Sequence, residues 1–333
     1  MKLYVKVLLC IFAVIVASGC SEHMRIIDNV DITENIFFTE IPLSDELLMP
    51  ARMFVSQDRL WILHHESDAL FTVFDMNQEM DVLRVGYKGR GPDEFLNIDV
   101  RSICVDDRGF ICMDAGGVCK SVTLKDDHIV ITGRRDFSLN GYPQNGIFTS
   151  RGYLAMNVGE EDSEFILYDT LSSVAVGKYP LWSSDDSVPN PFLYIKQMAC
   201  SPSGDKVAIF YSYFRRFRVL DAGGNLISEY DVRIPDEFPV ERPGQPDAKL
   251  AYISYPFADS EYIYAMCHNS AMGVTDVFPE IHLFDWKGNM KIRILTDRPI
   301  DLFTIDKKRG RLYGIDLEAA DVLYVADLSA LHF

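Results

Sequence analysis

The 333-residue chain is 48% hydrophobic and 24% charged, with 49 acidic side chains against 32 Lys and Arg and a formal charge of −17. The apolar share is ample for a packed core, and 21 Phe and 16 Tyr are residues that strands favour. So acidic a surface repels phosphate backbones, which excludes nucleic acid as a partner, and it disfavours lying flat on anionic lipid.

The first element is a leader. Lys2 and Lys6 precede an apolar run from Val7 to Val16, and Ala17, Ser18 and Gly19 lead to Cys20. A basic start, a short apolar core and a small-residue exit form a secretory signal, and the run is too short to span a membrane. The exit resembles the lipobox of bacterial lipoproteins, with Ala17 where leucine is more usual. The resemblance implies cleavage before Cys20, a diacylglycerol thioether on that cysteine, and a location in the cell envelope, expected at the outer membrane. Losing the first 19 residues leaves 314 and, with Lys2 and Lys6 gone, takes the charge from −17 to −19. Five cysteines then follow Cys20: Cys104, Cys112, Cys119, Cys200 and Cys267. Five cannot all pair, none forms a CxxC, and buried thiols are expected.

One pattern then recurs: an apolar strand, a tight polar turn, an apolar strand. It occupies 53–63, 102–113, 146–156, 198–210, 255–266 and 302–315. A second hairpin follows in each of the first five units, at 70–85, 121–132, 165–179, 217–232 and 281–295. Units of four strands repeating about every 50 residues predict an all-β, six-bladed β-propeller. The last unit lacks a strand, and Asn35 to Leu43 is the expected closing strand. The expected layout is a signal peptide over 1–19, a lipidated tether over 20–34 and the propeller over 35–333.

The segment GYKGRGPDEF at 86–95 supplies Gly89, Gly91, Pro92, Glu94 and Phe95. It resembles the Gly-x-Gly-Pro-x-Glu-Phe signature of TolB-like six-bladed propeller lipoproteins of the Bacteroidetes. The resemblance implies the fold and envelope anchoring; most such relatives have no assigned activity. The residues themselves suit a structural turn: glycines free the backbone, Pro92 sets the turn and Phe95 plugs between blades. The segment is no phosphate loop, since it lacks Gly-Lys-Ser/Thr and opens no helix.

In a propeller the turns joining strands one and two, or three and four, share one face. Here the opposite face carries the long segments 86–99, 133–145, 179–197, 234–250 and 267–280, stiffened by prolines such as Pro92, Pro189, Pro191, Pro239, Pro243 and Pro246. Aromatic rings and Arg forks gather there, including Tyr87, Tyr142, Arg135, Arg215 and Arg216. Arg90, Glu94, Arg134 and Trp182 are the candidate ligand-binding residues. The expected function is a membrane-anchored binding or scaffold module for a glycan, peptide or protein, with no cofactor. The alternative is a lactonase- or lyase-like enzyme, implied by lactonases of this ring shape, with calcium in the central channel. No Ser-His-Asp arrangement stands out, and His64-His65 reads more readily as a solvated pair than as metal ligands.

Overall fold

Turn chemistry builds the hairpins. Gln57 and Asp58 take φ of +54° and +56°, and Asp126 and Asp127 take +49° and +61°. Such pairs match the right-handed strand twist of two-residue hairpins, and Asp tolerates the left-handed region. Other turns are held by an Asp side chain. Asp221 Oδ1 accepts from the backbone N–H of Gly223 and Asn225, and Asp285 Oδ1 accepts from those of Lys287 and Asn289.

The computed structural model describes residues 24–43, 47–65, 67–77, 82–115, 117–137, 145–156, 164–172, 174–179, 194–234, 249–271, 274 and 277–331. Its strands form the six expected blades. Blade one is Pro50–Ser56, Arg59–His64, Ala69–Asp75 and Val82–Tyr87; blade two is Ile98–Asp106, Gly109–Asp114, Val118–Lys125 and His128–Asp136. Blade three is Gly146–Thr149, Gly152–Met156, Phe165–Tyr168 and Ala175–Tyr179; blade four is Lys196–Cys200, Lys206–Tyr211, Arg216–Asp221 and Leu226–Val232. Blade five is Phe257–Ala258, Tyr262–Cys267, Glu280–Asp285 and Met290–Leu295. Blade six is Leu302–Asp306, Arg311–Ile315 and Val322–Asp327, completed by Thr39–Pro42.

The N-terminal segment does more than close the ring. Thr39–Pro42 pairs antiparallel with Val322–Asp327, Thr39 opposite Val325, which meets the expected closure with a shorter strand. The expected tether over 20–34 is corrected. Arg25–Ile27 lies parallel on the outer strand of blade four, and Ile32–Asn35 lies parallel on the outer strand of blade five. Both satisfy outward-facing backbone groups that an open edge would leave unpaired.

Apolar side chains of these strands fill the gaps between blades. Six buried clusters occur, one at each blade interface around the ring. At the blade one–two interface the fully buried Trp61 meets Phe54, Phe71 and Phe110 with ring centroids 5.5–5.9 Å apart. Phe95 joins this cluster at 0% exposure and 6.1 Å from Phe71, the plug expected of it. The five cysteines among the described residues are free thiols; Cys112 and Cys267 are buried and the other three half-buried. Burial raises the pKa of Cys119 and Cys267 to about 12, so neither is a ready nucleophile.

Candidate functional site at the channel mouth

The innermost strand of every blade starts on the face that carries the long connections. Residues at or just before those starts therefore ring the mouth of the central channel. Lys196 stands at such a start, and Arg52 and Arg101, two and three residues into their innermost strands, both sit on breaks in strand register. In blade one the pairing slips between Pro50 and Arg52; in blade two it slips between Asp99 and Cys104. Such bulges re-aim side chains, and Ser102 repairs the second by accepting from Met113 N–H at 2.7 Å.

The two guanidinium groups converge on one ring. The Cζ of Arg52 lies 5.7 Å, and that of Arg101 6.0 Å, from the centroid of Tyr255. Arg52 is 6% exposed and donates through Nη1 to Val100 O at 2.6 Å. Burial lowers its pKa from the ordinary arginine value, so keeping this charge here is costly. Arg101 donates through Nε to Gln197 Oε1 at 3.2 Å and through Nη1 to Asn145 Oδ1. Neither arginine has a carboxylate at ion-pair distance among the described residues.

Nearby acids are already engaged. Asp99 accepts from the backbone N–H of Arg101 and Asn145, and Asp301 accepts from that of Leu317. Glu164, fully buried, takes Lys196 Nζ, Tyr211 Oη at 2.9 Å and Arg218 Nη1 at 3.0 Å. The cation at Lys196 is thereby neutralised, whereas those at Arg52 and Arg101 are not. A small cavity lined by Arg52, Met53, Ser254, Tyr255, Leu302 and Phe303 opens beside Arg52 and the tyrosine ring.

Two chemistries were weighed at this site. Calcium would need converging oxygens. The amide oxygens of Gln197 and Asn145 instead point at the Arg101 guanidinium, so the described mouth does not fit a divalent cation. Ser254 Oγ lies 2.9 Å from His268 Nε2, a pair the sequence did not suggest. Ser254 also donates to Asp301 O at 2.8 Å. Both contacts are satisfied when His268 donates to the hydroxyl, the reverse of an activated serine. Burial lowers His268 to about 4, which keeps it neutral.

Three of the four ligand-binding residues expected from sequence, Arg90, Glu94 and Arg134, are among the described residues. Arg90 is exposed on the blade one–two connection. Arg134 is exposed on the outer strand of blade two, 3.5 Å from Asp136. Glu94 folds back on its own turn: Oε2 accepts from Gly91 N–H at 2.6 Å, and a Cβ on Gly89 would overlap its carboxylate. The turn is docked by Lys120, which donates to Glu94 O and pairs with Asp114 at 2.7 Å. Trp182 and Cys20 lie outside the described residues. Arg215, expected on the loop surface, is 1% exposed. His64 is not solvated as expected: it is 3% exposed, its ring nitrogens 3.0 Å from Leu48 O and 2.8 Å from Thr72 Oγ1.

Fold and site thus define a six-bladed β-propeller whose channel mouth is cationic and aromatic-lined. No protein-family model matches the chain, and no curated protein matches it. Among solved structures it is similar to a member of the DUF4221 family from Bacteroides vulgatus, at 10% identity and TM-score 0.53, covering 87% of this chain and 95% of that one. It is also similar to a protein described as exported from Bacteroides fragilis, at 12% identity and TM-score 0.48, covering 91% and 99%. BamB from Moraxella catarrhalis matches at 15% identity and TM-score 0.35, covering 83% and 71%. The first of these supports the propeller fold; identities so low carry no activity across.

Proposed function

We propose that this chain is an exported envelope lipoprotein of the TolB-like type, acting as a binding module through the long-loop face of its ring. Cleavage before Cys20 and lipid on that cysteine would hold it at the outer membrane. With Arg25 already strand-paired, only residues 20–24 are left as a tether, which reaches about 17 Å at most. The observation that carries the binding role is the pair of arginines on register breaks, facing one tyrosine with no carboxylate partner. Exposed apolar side chains, Leu48, Met49, Leu96 and Leu317, lie on the same face and suit a peptide, protein or glycan lying across it.

The test is capture of envelope fractions and arrayed glycans by the purified mature chain. Arg101→Gln and Gln197→Ala should abolish specific capture, while Asp126→Ala and Lys308→Ala on the tight-turn face leave it intact. Capture indifferent to the mouth substitutions contradicts the proposal.

A further inference from the structure

We propose that the channel mouth is a binding site for an organic monocarboxylate, clasped between the guanidinium groups of Arg52 and Arg101. This rests on the binding role above and names its ligand class.

Geometry comes first. Arg52 spends one donor nitrogen on Val100 O, and Arg101 spends Nε and Nη1 on amide oxygens. Nη2 of each donates to nothing among the described residues. Arg52 lines the cavity, and Arg101 lies against the same Tyr255 ring that forms one of its walls, so unspent N–H groups of two guanidinium groups gather about that ring, a donor set that a carboxylate accepts. The register breaks in blades one and two are what place these charges there, although the rest of each strand packs apolar side chains.

Charge and shape then select among anions. Asp99 and Asp301 already accept from backbone N–H groups, so the unspent donors belong to the two guanidinium groups, and acids this close favour a ligand of low charge, a monoanion over a phosphate dianion. The cavity wall includes Met53, Leu302 and Phe303, at 4%, 8% and 4% exposure, and the Tyr255 ring. Apolar walls suit the carbon stem of a carboxylic acid and offer nothing to the further oxygens of a phosphate. The cavity is too small for a whole ligand, so it takes the acidic end of one that continues across the loop face.

Titration calorimetry on the mature chain uses benzoate, benzamide and inorganic phosphate as probes. Benzoate should bind with a Kd on the order of 1 mM, with benzamide and phosphate each about tenfold weaker or more. Arg101→Gln, at a half-buried position, should weaken benzoate by about tenfold or more with the fold intact by circular dichroism, and Arg52→Lys should weaken it as well. Should Arg52→Lys not fold, the benzamide comparison and Arg101→Gln decide. Equal binding of benzamide, tighter binding of phosphate, no benzoate binding, or an unaffected Arg101→Gln overturns the assignment. Mouth-dependent capture of an envelope ligand without benzoate binding overturns the carboxylate alone; loss of both removes the binding role too.

Discussion

Phe38→Ala tests whether the N-terminal segment is part of the ring. Phe38 lies where the chain leaves blade five's edge for blade six, and it is 7% exposed within the cluster between those blades. Its ring meets Tyr324 edge-on, centroids 6.0 Å apart at 65°, and its backbone N–H donates to Asp297 Oδ1 at 3.1 Å. The substitution keeps the backbone contact and removes the ring. Emptying such a site costs about 3 to 5 kcal/mol, of which the edge-on aromatic pair accounts for about 1. Phe37, its neighbour, is 75% exposed, so Phe37→Ala should change stability by only about 0.5 kcal/mol. Urea denaturation followed by tryptophan fluorescence compares the two. If they unfold at the same midpoint, the N-terminal segment does not hold blades five and six together.

Cys20→Ala should leave the protein unprocessed or release it from the membrane fraction, read by fractionation and labelled-palmitate incorporation; a mature, membrane-bound variant refutes the anchor. Glu280 is half-buried, which alone would raise its pKa. Two hydrogen bonds from Arg293, at 2.7 and 2.6 Å, and one contact with His282 at 3.0 Å hold it at about 2 instead. Burial lowers the pKa of His282 from its ordinary value, and Arg293 donates both charged hydrogen bonds to the carboxylate. A carboxylate depressed from 4.5 stabilises the fold above that pH, on the order of 3 kcal/mol, and the benefit is lost as pH falls from about 4.5 towards 2. Glu280→Gln should remove that part of the acid dependence, and an unchanged acid-denaturation curve contradicts it. Glu94→Ala should cost about 1 kcal/mol through the lost Gly91 contact while leaving ligand capture intact; lost capture at unchanged stability would restore Glu94 as a ligand residue.

The blades were legible because apolar strands alternate with tight Asp- and Gly-rich turns, and because blade six visibly lacked a partner strand. The outer strands Arg25–Ile27 and Ile32–Asn35 were not. Only two of their seven side chains, Ile27 and Glu34, are even partly covered, so little hydrophobic periodicity marks them, and what fixes them is backbone pairing. The candidate channel mouth was not legible for a related reason. Loop length and proline content drew attention to Arg90, Arg134 and Trp182, yet the converging cations lie on strands. Their trace in sequence is a lone arginine inside the apolar text PARMFV and DVRSICV, at the start of an innermost strand. A register break is a property of two paired strands, so neither segment alone reveals it. His64 misled in the same way, since its burial is set by Leu48 and Thr72, which strand pairing on either side brings against its ring.

The most direct measurement is photocrosslinking in intact cells from two positions, with p-azidophenylalanine replacing Tyr255 at the channel mouth or Asp126 on the tight-turn face. A loop-face binding module predicts a discrete adduct from position 255, reduced by Arg101→Gln, and none from position 126. A silent position 255 with an adduct from 126 would place the working surface on the wrong side of the ring and contradict the account.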